Sequence, residues 1–380
     1  MTRLRLALLL AAGVMLLAPG GARAQGTLST QGFGYPLGGL STRAASTGGA
    51  MAEFDQLSSR NPAALGGWRR SGLYVQYDPE FRTVSAASAT DKMTTSRFGA
   101  VAAGFVVGSR LVIGASSNSF LDRSFATRVR SGDRLGNDSV QYTETFNSRG
   151  AIGDTRLGAS FIVNRFIAVG LGLHLFTGEN RLNLERVFDD STAFGTLARS
   201  LTLAYTGTGA SAGVLVTPVR GVTLGASMRQ GGTMRLRVVD TVRTEAKVPN
   251  RYGVGARLDF IPGLTIYGSA DHNEWSRMNS LGSQAAQGSD AWEYSGGVEF
   301  GAARTGAPTW SYALGYRQRD LPFRAAGALV SEKILSGGTS APLAGGRATL
   351  DLAVQRANRD AAGSVKERAW LVSVGLTIRP

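Results

Sequence analysis

From about Gly72 to Ile378 the chain is written in segments of roughly ten residues in which apolar positions recur every second residue. In "WLVSVGLTI", Trp370, Val372, Val374, Leu376 and Ile378 share one face, and Ser373 and Gly375 fall on the other. "RATLDLAVQ" sets Ala348, Leu350, Leu352 and Val354 against Arg347, Thr349, Asp351 and Gln355. "YGVGARLDF" sets Tyr252, Val254, Ala256, Leu258 and Phe260 against Gly253, Gly255, Arg257 and Asp259, and in "GLTIYGSAD" Tyr267 lies on the polar face. A period of two with charge on the second face describes strands with one apolar side and one wet side. Read this way, residues 72–380 hold about fourteen strands.

A soluble sandwich has the same period, so the links between strands decide. They alternate in length. Gly108-Ser109, Asn164-Arg165, "PVRG" at 218–221, "IPG" at 261–263 and "ARTGAP" at 303–308 are brief turns. The links between them are longer and polar, as in "RVRSGDRLGNDSVQ" at 128–141 and "RMNSLGSQAAQGSDA" at 277–291. Short turns on one rim and long loops on the other are the pattern of an outer-membrane barrel. Trp275, Trp292, Trp310 and Trp370 fall near strand ends, where aromatic girdles are expected. The fold class expected is therefore all-β, a transmembrane antiparallel β-barrel of about 14 strands.

The N-terminus fits an exported chain. Arg3 and Arg5, the apolar run Leu6–Ala18 and the small exit Ala22-Arg23-Ala24 have the layout of a cleavable leader over residues 1–24. That run is too short to span a bilayer, and no stretch of 18 or more apolar residues follows. With no cysteine, disulfides and thiolate metal sites are excluded. The formal charge is +14, with basic residues scattered singly rather than in runs. That favours anionic lipid headgroups, lipopolysaccharide included, over nucleic acid as the charged partner.

Between the leader and the first strand, residues 25–71 hold a Gly-rich segment, "GGLSTRAASTGGAMAEF", and then "EFDQLSSRNPAALGGW", which reads as a short amphipathic helix from Glu53 that breaks at Asn61-Pro62. A helical unit of this size cannot bury enough surface to stand alone, so it needs a container. Small residues on the wet faces of the strands (Gly170, Gly172, Ala204, Ser211, Gly213, Gly297) imply an interior with room for one.

Gly48, Gly49, Ala50, Asn61, Pro62, Ala63, Ala64 and Leu65 resemble the plug, or hatch, of the long-chain fatty-acid transporter (FadL) family. Pro249, Gly255, Pro262, Leu264, Thr265, Trp275 and Ser276 are similar to a barrel hairpin of the same family, and "DAWEYSGGVEFG" with "WSYALGYRQRDLPF" to the next. The resemblance implies a fourteen-stranded barrel holding a hatch over residues 25–71, with Gly48, Gly49, Asn61, Pro62 and Ala63 in hatch or gating roles. It also implies uptake of a hydrophobic small molecule, a fatty acid or similar lipid or hydrocarbon. A related branch serves protein secretion, and a general porin is the third reading.

The chemical inventory is sparse. Only His174 and His272 occur, no G-x-S-x-G elbow accompanies them, and Asp271 and His272, as strand neighbours, point to opposite faces. No enzyme activity, metal or cofactor is expected. "GTGASAG" at 207–213 misses the dinucleotide fingerprint and reads as small lumen-facing residues. Arg235 and Arg237, opposite Met234, Leu236 and Val238, together with Arg257, are expected on the wet face, acid-paired or as a basic ring for an anionic headgroup. Phe54 and Leu57 read as a packing face or part of a ligand pocket, to which His174 and Tyr267 are added as lining residues. Substrate identity and oligomeric state are left open by the sequence.

Overall fold

The computed structural model describes residues 23–25 and 33–379, apart from breaks at 87–88, 136–137, 282–287, 302–308, 326–327 and 362–364. Apart from Arg23 and Ala24, the leader lies outside the described residues. The strands are β1 (Gly72–Ala86), β2 (Ala89–Val107), β3 (Leu111–Asp122), β4 (Phe125–Leu135), β5 (Asp138–Ile162), β6 (Ile167–Phe188), β7 (Leu197–Val219) and β8 (Val222–Val238). There follow β9 (Thr241–Lys247), β10 (Arg251–Leu258), β11 (Leu264–Asn273), β12 (Ala291–Phe300), β13 (Ser311–Ala325), β14 (Ala328–Leu343), β15 (Ala348–Ala361) and β16 (Val365–Ile378).

Sixteen segments make fourteen wall positions. β3 and β4 both pair with β5, one above the other, and β9 and β10 stack in the same way along β8. β16 pairs with β1 from Ile378↔Leu73 to Val365↔Ala86, which closes an antiparallel ring. Closure is what hydrocarbon demands, since lipid offers no partner for a free strand edge.

Side chains sort by face as the period of two requires. Leu157, Leu171, Leu173, Leu314 and Leu335 stand exposed on the outer wall, with Leu171 and Leu173 each 69% accessible. Inward positions on the same strands are polar and buried, among them Glu80, Arg82, Asp154, Arg251, Glu293 and Glu332. A protein this apolar outside and this charged inside is turned toward lipid. Exposed Trp292, Trp310 and Trp370 fit an interfacial girdle; Trp275 does not. It begins a 3₁₀ turn, Trp275–Leu281, and is buried inside the barrel.

One loop expectation changes. Within the expected loop at 128–141, residues 128–135 and 138–141 form the tops of β4 and β5, paired from Phe125↔Ser148 to Leu135↔Asp138. Above the bilayer both strand faces meet water, so the apolar alternation that marks a strand disappears there. The expected link at 277–291 does lie between β11 and β12, and that connection opens with the 3₁₀ turn Trp275–Leu281.

The ring has one seam. β2 pairs with β3 only from Val107↔Leu111 to Ala100↔Asn118. Beyond that, β3 bulges between Ser119 and Leu121, pairs inward with Tyr35-Pro36, and gives way to β4.

The fold makes two measurable demands. Cysteine at Ser191, in the link between β6 and β7, should label from outside intact cells, whereas cysteine at Arg220, in the turn between β7 and β8, should label only after permeabilisation. Leu173→Arg on the lipid face should lower stability in vesicles by roughly 2–4 kcal/mol, read by denaturant unfolding.

Candidate functional site

The interior is occupied by the chain's own N-terminal segment. Ser41 caps a short helix, α1 (Thr42–Ser46), its Oγ accepting from the Ala44 amide at 3.0 Å. The chain then turns at Gly48 and Gly49, whose φ angles are +68° and +94°. At Gly48 a Cβ would also stand 2.9 Å from the backbone of Tyr316, so positive φ and close approach both require glycine.

The helix expected from Glu53 to Asn61 is not formed. Residues 51–60 make consecutive turns, and helical backbone begins at Pro62, where Pro62–Gly67 is a 3₁₀ helix. Asn61 is its N-cap, the side-chain Oδ1 accepting from the Ala63 amide at 2.9 Å, and Pro62 takes the first helical position, where no N–H is needed. So short a helix has little intrinsic stability, and tertiary contacts override the spacing of Phe54 and Leu57. Asn61-Pro62 starts a turn where the sequence reading had it end one.

Small residues on the wall admit this segment. A Cβ on Gly213 would fall 2.0 Å from Asn61 Oδ1, and one on Gly170 2.3 Å from the Ala63 amide nitrogen. The room inferred from these glycines is filled by Asn61-Pro62-Ala63. Ser160 Oγ donates to the Ala63 carbonyl at 2.9 Å. Leu57 is buried with Leu65, Trp68 and Tyr74, and Phe54 packs beside Tyr267, ring centroids 6.3 Å apart, against Gly225 and Gly255.

Charge fastens the segment. Glu53 accepts from Arg251, which also pairs with Asp271, and from Ser227 Oγ at 3.0 Å. Arg60 reaches Asp271 at 2.5 Å and Glu293 at 2.7 Å while its Nε donates to the Gly38 carbonyl. Arg43 pairs with Glu299 at 2.6 Å, and Tyr267 donates to the same carboxylate at 3.1 Å. Tyr35 donates to Glu332 at 2.7 Å with the Arg359 guanidinium 4.5 Å from its ring centre. These contacts tie the segment to β8, β10, β11 and β12 on one side and to β14 and β15 on the other.

Above Arg60 lies a cavity of about 60 Å³ bordered by Asn118, Phe120, His174, Arg229, Trp275 and Glu293. Sites that enclose a small-molecule ligand span about 300–1,000 Å³, so entry of a solute requires movement. Phe33, Phe120, Phe176, Tyr205, Met234, Trp275 and Met278 form one buried apolar cluster at this level.

His174 belongs to the wall of this cavity. Its Nδ1 lies 2.8 Å from Asp154 Oδ1 and its Nε2 2.9 Å from Ser211 Oγ, and the ring stacks on Phe176. Carboxylate, imidazole and hydroxyl stand in the order of a nucleophilic triad. Ser211, however, is in register with Gly172 on one side and Arg229 on the other, so its amide is committed to the ladder rather than free to receive an oxyanion. No single segment announced this trio, because β5, β6 and β7 bring it together from three strands.

Two expected lining arginines are misplaced by the sequence reading. β8 slips register against β7 between Gly231 and Met234. Below the slip Gly225 and Ser227 face inward; above it Met234, Leu236 and Val238 do, and Arg235 and Arg237 are turned out. Arg235 pairs with Glu245 at 2.8 Å on the outer wall. A one-residue bulge exchanges the two faces of a strand, and nothing in the alternation marks it. Arg257 lies on the inward series of β10, 40% exposed and 3.3 Å from Asp259, apart from the other two. There is thus no basic ring formed by Arg235, Arg237 and Arg257.

Arg60→Met should strand Asp271 and Glu293 as carboxylates short of partners. Loss of one member of a buried ion pair costs about 3 kcal/mol or more. Amide exchange across residues 42–67 should then accelerate by roughly two orders of magnitude while the strands keep their protection.

No protein-family model and no curated protein matches this sequence. Solved structures do. A Pseudomonas aeruginosa FadL homologue superposes with a TM-score of 0.64 over 92% of this chain and 99% of its own, at 13% identity. The Ralstonia pickettii toluene transporter TbuX gives 0.60 over 90% and 99% at 16% identity, and the Pseudomonas putida toluene transporter TodX 0.58 over 90% and 98% at 12%. Closed ring, lipid-facing outer wall and these superpositions agree: the chain has the fold of the FadL-type channels of the bacterial outer membrane.

Proposed function

We propose that this barrel takes up hydrophobic small molecules across the outer membrane, with residues 33–68 as a hatch that seals the lumen and yields to the solute. The observation that carries this reading is the apolar cluster around Phe120, Phe176 and Trp275, set directly above an otherwise ionic, filled interior. An apolar solute gains there by leaving water, and an ion does not. The aromatic rings and the small cavity favour a compact solute, such as a one-ring hydrocarbon, over a bulky one. The solved relatives described as toluene transporters support the same class.

The seam between β2 and β3 supplies a way out. Where Ala100↔Asn118 ends the ladder, β2 and β3 part, and Phe120 of the apolar cluster stands beside that point. A solute in the cluster can leave sideways into lipid without crossing the ion pairs below. A general porin is disfavoured by the same ion pairs, which block an open aqueous path.

The hatch reading makes a paired prediction. Asn61→Ala with Pro62→Ala removes the cap, worth about 1 kcal/mol, and the preset dihedral of the turn. In planar bilayers the wild type should pass little ion current and the double variant should leak, while cells carrying the wild type should accumulate labelled toluene faster than cells without it. Large steady current through the wild type would establish a porin. A sealed barrel that speeds entry of neither toluene nor a fluorescent fatty acid would leave the secretion-partner role.

A further inference from the structure

The strands β13 to β1 carry two kinds of charge at the same height. Facing inward, Arg319, Glu332, Arg359 and Glu367 stand in direct cross-strand register, so positive and negative alternate across four strands. Arg319 meets Glu332 at 2.5 Å, Arg359 meets Glu332 at 2.6 Å, and Arg359 also pairs with Glu367. Every cation in that row has its carboxylate.

The neighbouring outward row is built differently. Gln318, Lys333, Asn358, Arg368 and Thr83 are in direct register across β13, β14, β15, β16 and β1, and the row contains no carboxylate. One row nearer the membrane, Tyr316, Leu335, Arg356, Trp370 and Phe81 are in register. The Arg356 guanidinium lies 5.5 Å from the centre of the Trp370 ring, which holds it flat against the wall. Lys333, Arg356 and Arg368 are exposed, and among the described residues none has an acidic partner. Asp320 and Asp360 occur one row further out, with Lys366 opposite Asp360.

Height fixes what this patch meets. Arg368 lies ten residues above Ile378 along β16. At a rise of about 3.3 Å per residue and a tilt of about 40°, that is about 25 Å, the height of the apolar band of such barrels. Level with Arg356 and below it the wall is Leu335, Leu352, Val354, Trp370 and Val374, all exposed. The three cations therefore sit at the headgroup plane of the outer leaflet, two of them about two strand spacings apart with the Asn358 amide between them and Arg356 beneath.

We propose that Lys333, Arg356, Asn358 and Arg368 form a binding site for a phosphate group of lipopolysaccharide in the outer leaflet, with the acyl chains of the same molecule lying on Leu335, Leu352 and Val354. The chemistry is that of phosphate recognition by arginine and lysine: charge from three sides, donors from guanidinium and amide, and an apolar surface where the lipid chains continue. The site does not depend on what the lumen transports.

The test uses the full barrel in neutral detergent, titrated with bisphosphorylated lipid A, with dephosphorylated lipid A and with phosphatidylglycerol, and read by native mass spectrometry. Bound phosphorylated lipid A should appear on the wild type, with dephosphorylated lipid A and phosphatidylglycerol at least tenfold weaker. The variant combining Lys333→Gln, Arg356→Gln and Arg368→Gln should lose roughly 100-fold in affinity, consistent with about 1 kcal/mol for each basic residue at a membrane surface. Arg149→Gln with Arg181→Gln, which removes an outward cross-strand pair on β5 and β6, should change binding less than twofold. All variants should keep the gel shift between unheated and boiled samples that reports a closed barrel. Equal binding of dephosphorylated lipid A, equal binding of phosphatidylglycerol, or retention of affinity by the triple variant would each overturn the site.

Discussion

Everything in this molecule follows from the refusal of hydrocarbon to accept a backbone hydrogen bond. Strands in lipid must pair on both edges, so the sheet closes from β16 to β1, and closure creates an inside. Fourteen strands enclose more space than their own side chains fill. The barrel therefore takes in its N-terminal segment, and glycines at 170, 297 and 315 let the two backbones approach. Ring and contents are one solution to one constraint.

Filling a polar lumen with peptide raises an electrostatic problem that the charges resolve. Arg43, Glu53 and Arg60 enter a low-dielectric interior, and each meets opposite charge from the wall, at Glu299, at Arg251, and at Asp271 with Glu293. Buried pairs of this kind contribute little net stability beside a hydrophobic alternative, but breaking one is costly, which suits contacts that specify a position. The outer wall follows the opposite rule. At the membrane boundary Lys333, Arg356 and Arg368 have no carboxylate partner among the described residues, and on that the proposed lipid site is built.

Much of this was legible in the sequence, and the reasons are local. The alternation in "WLVSVGLTI" and "YGVGARLDF" needs only the pleat of a strand to be read, and turns such as "IPG" need only glycine and proline. Gly48 and Asn61-Pro62 were also legible as special positions, since positive φ and a fixed dihedral are properties of single residues. The direction of the helical turn was not. Phe54 and Leu57 have helical spacing, yet Glu53 is drawn to Arg251 and Arg60 to Asp271, and those pulls set the backbone between them.

The sequence by itself determined that this chain is a barrel with a wet interior and a small N-terminal unit in need of a container, because period, turn length and residue size are carried by neighbours along the chain. Only the tertiary structure decided the rest. A register slip at Gly231 put Arg235 and Arg237 outside, three strands brought Asp154, His174 and Ser211 together, and the wall assigned a carboxylate to each arginine of the segment. Those outcomes depend on which residues meet across strands, and a one-residue change in register alters all of them at once.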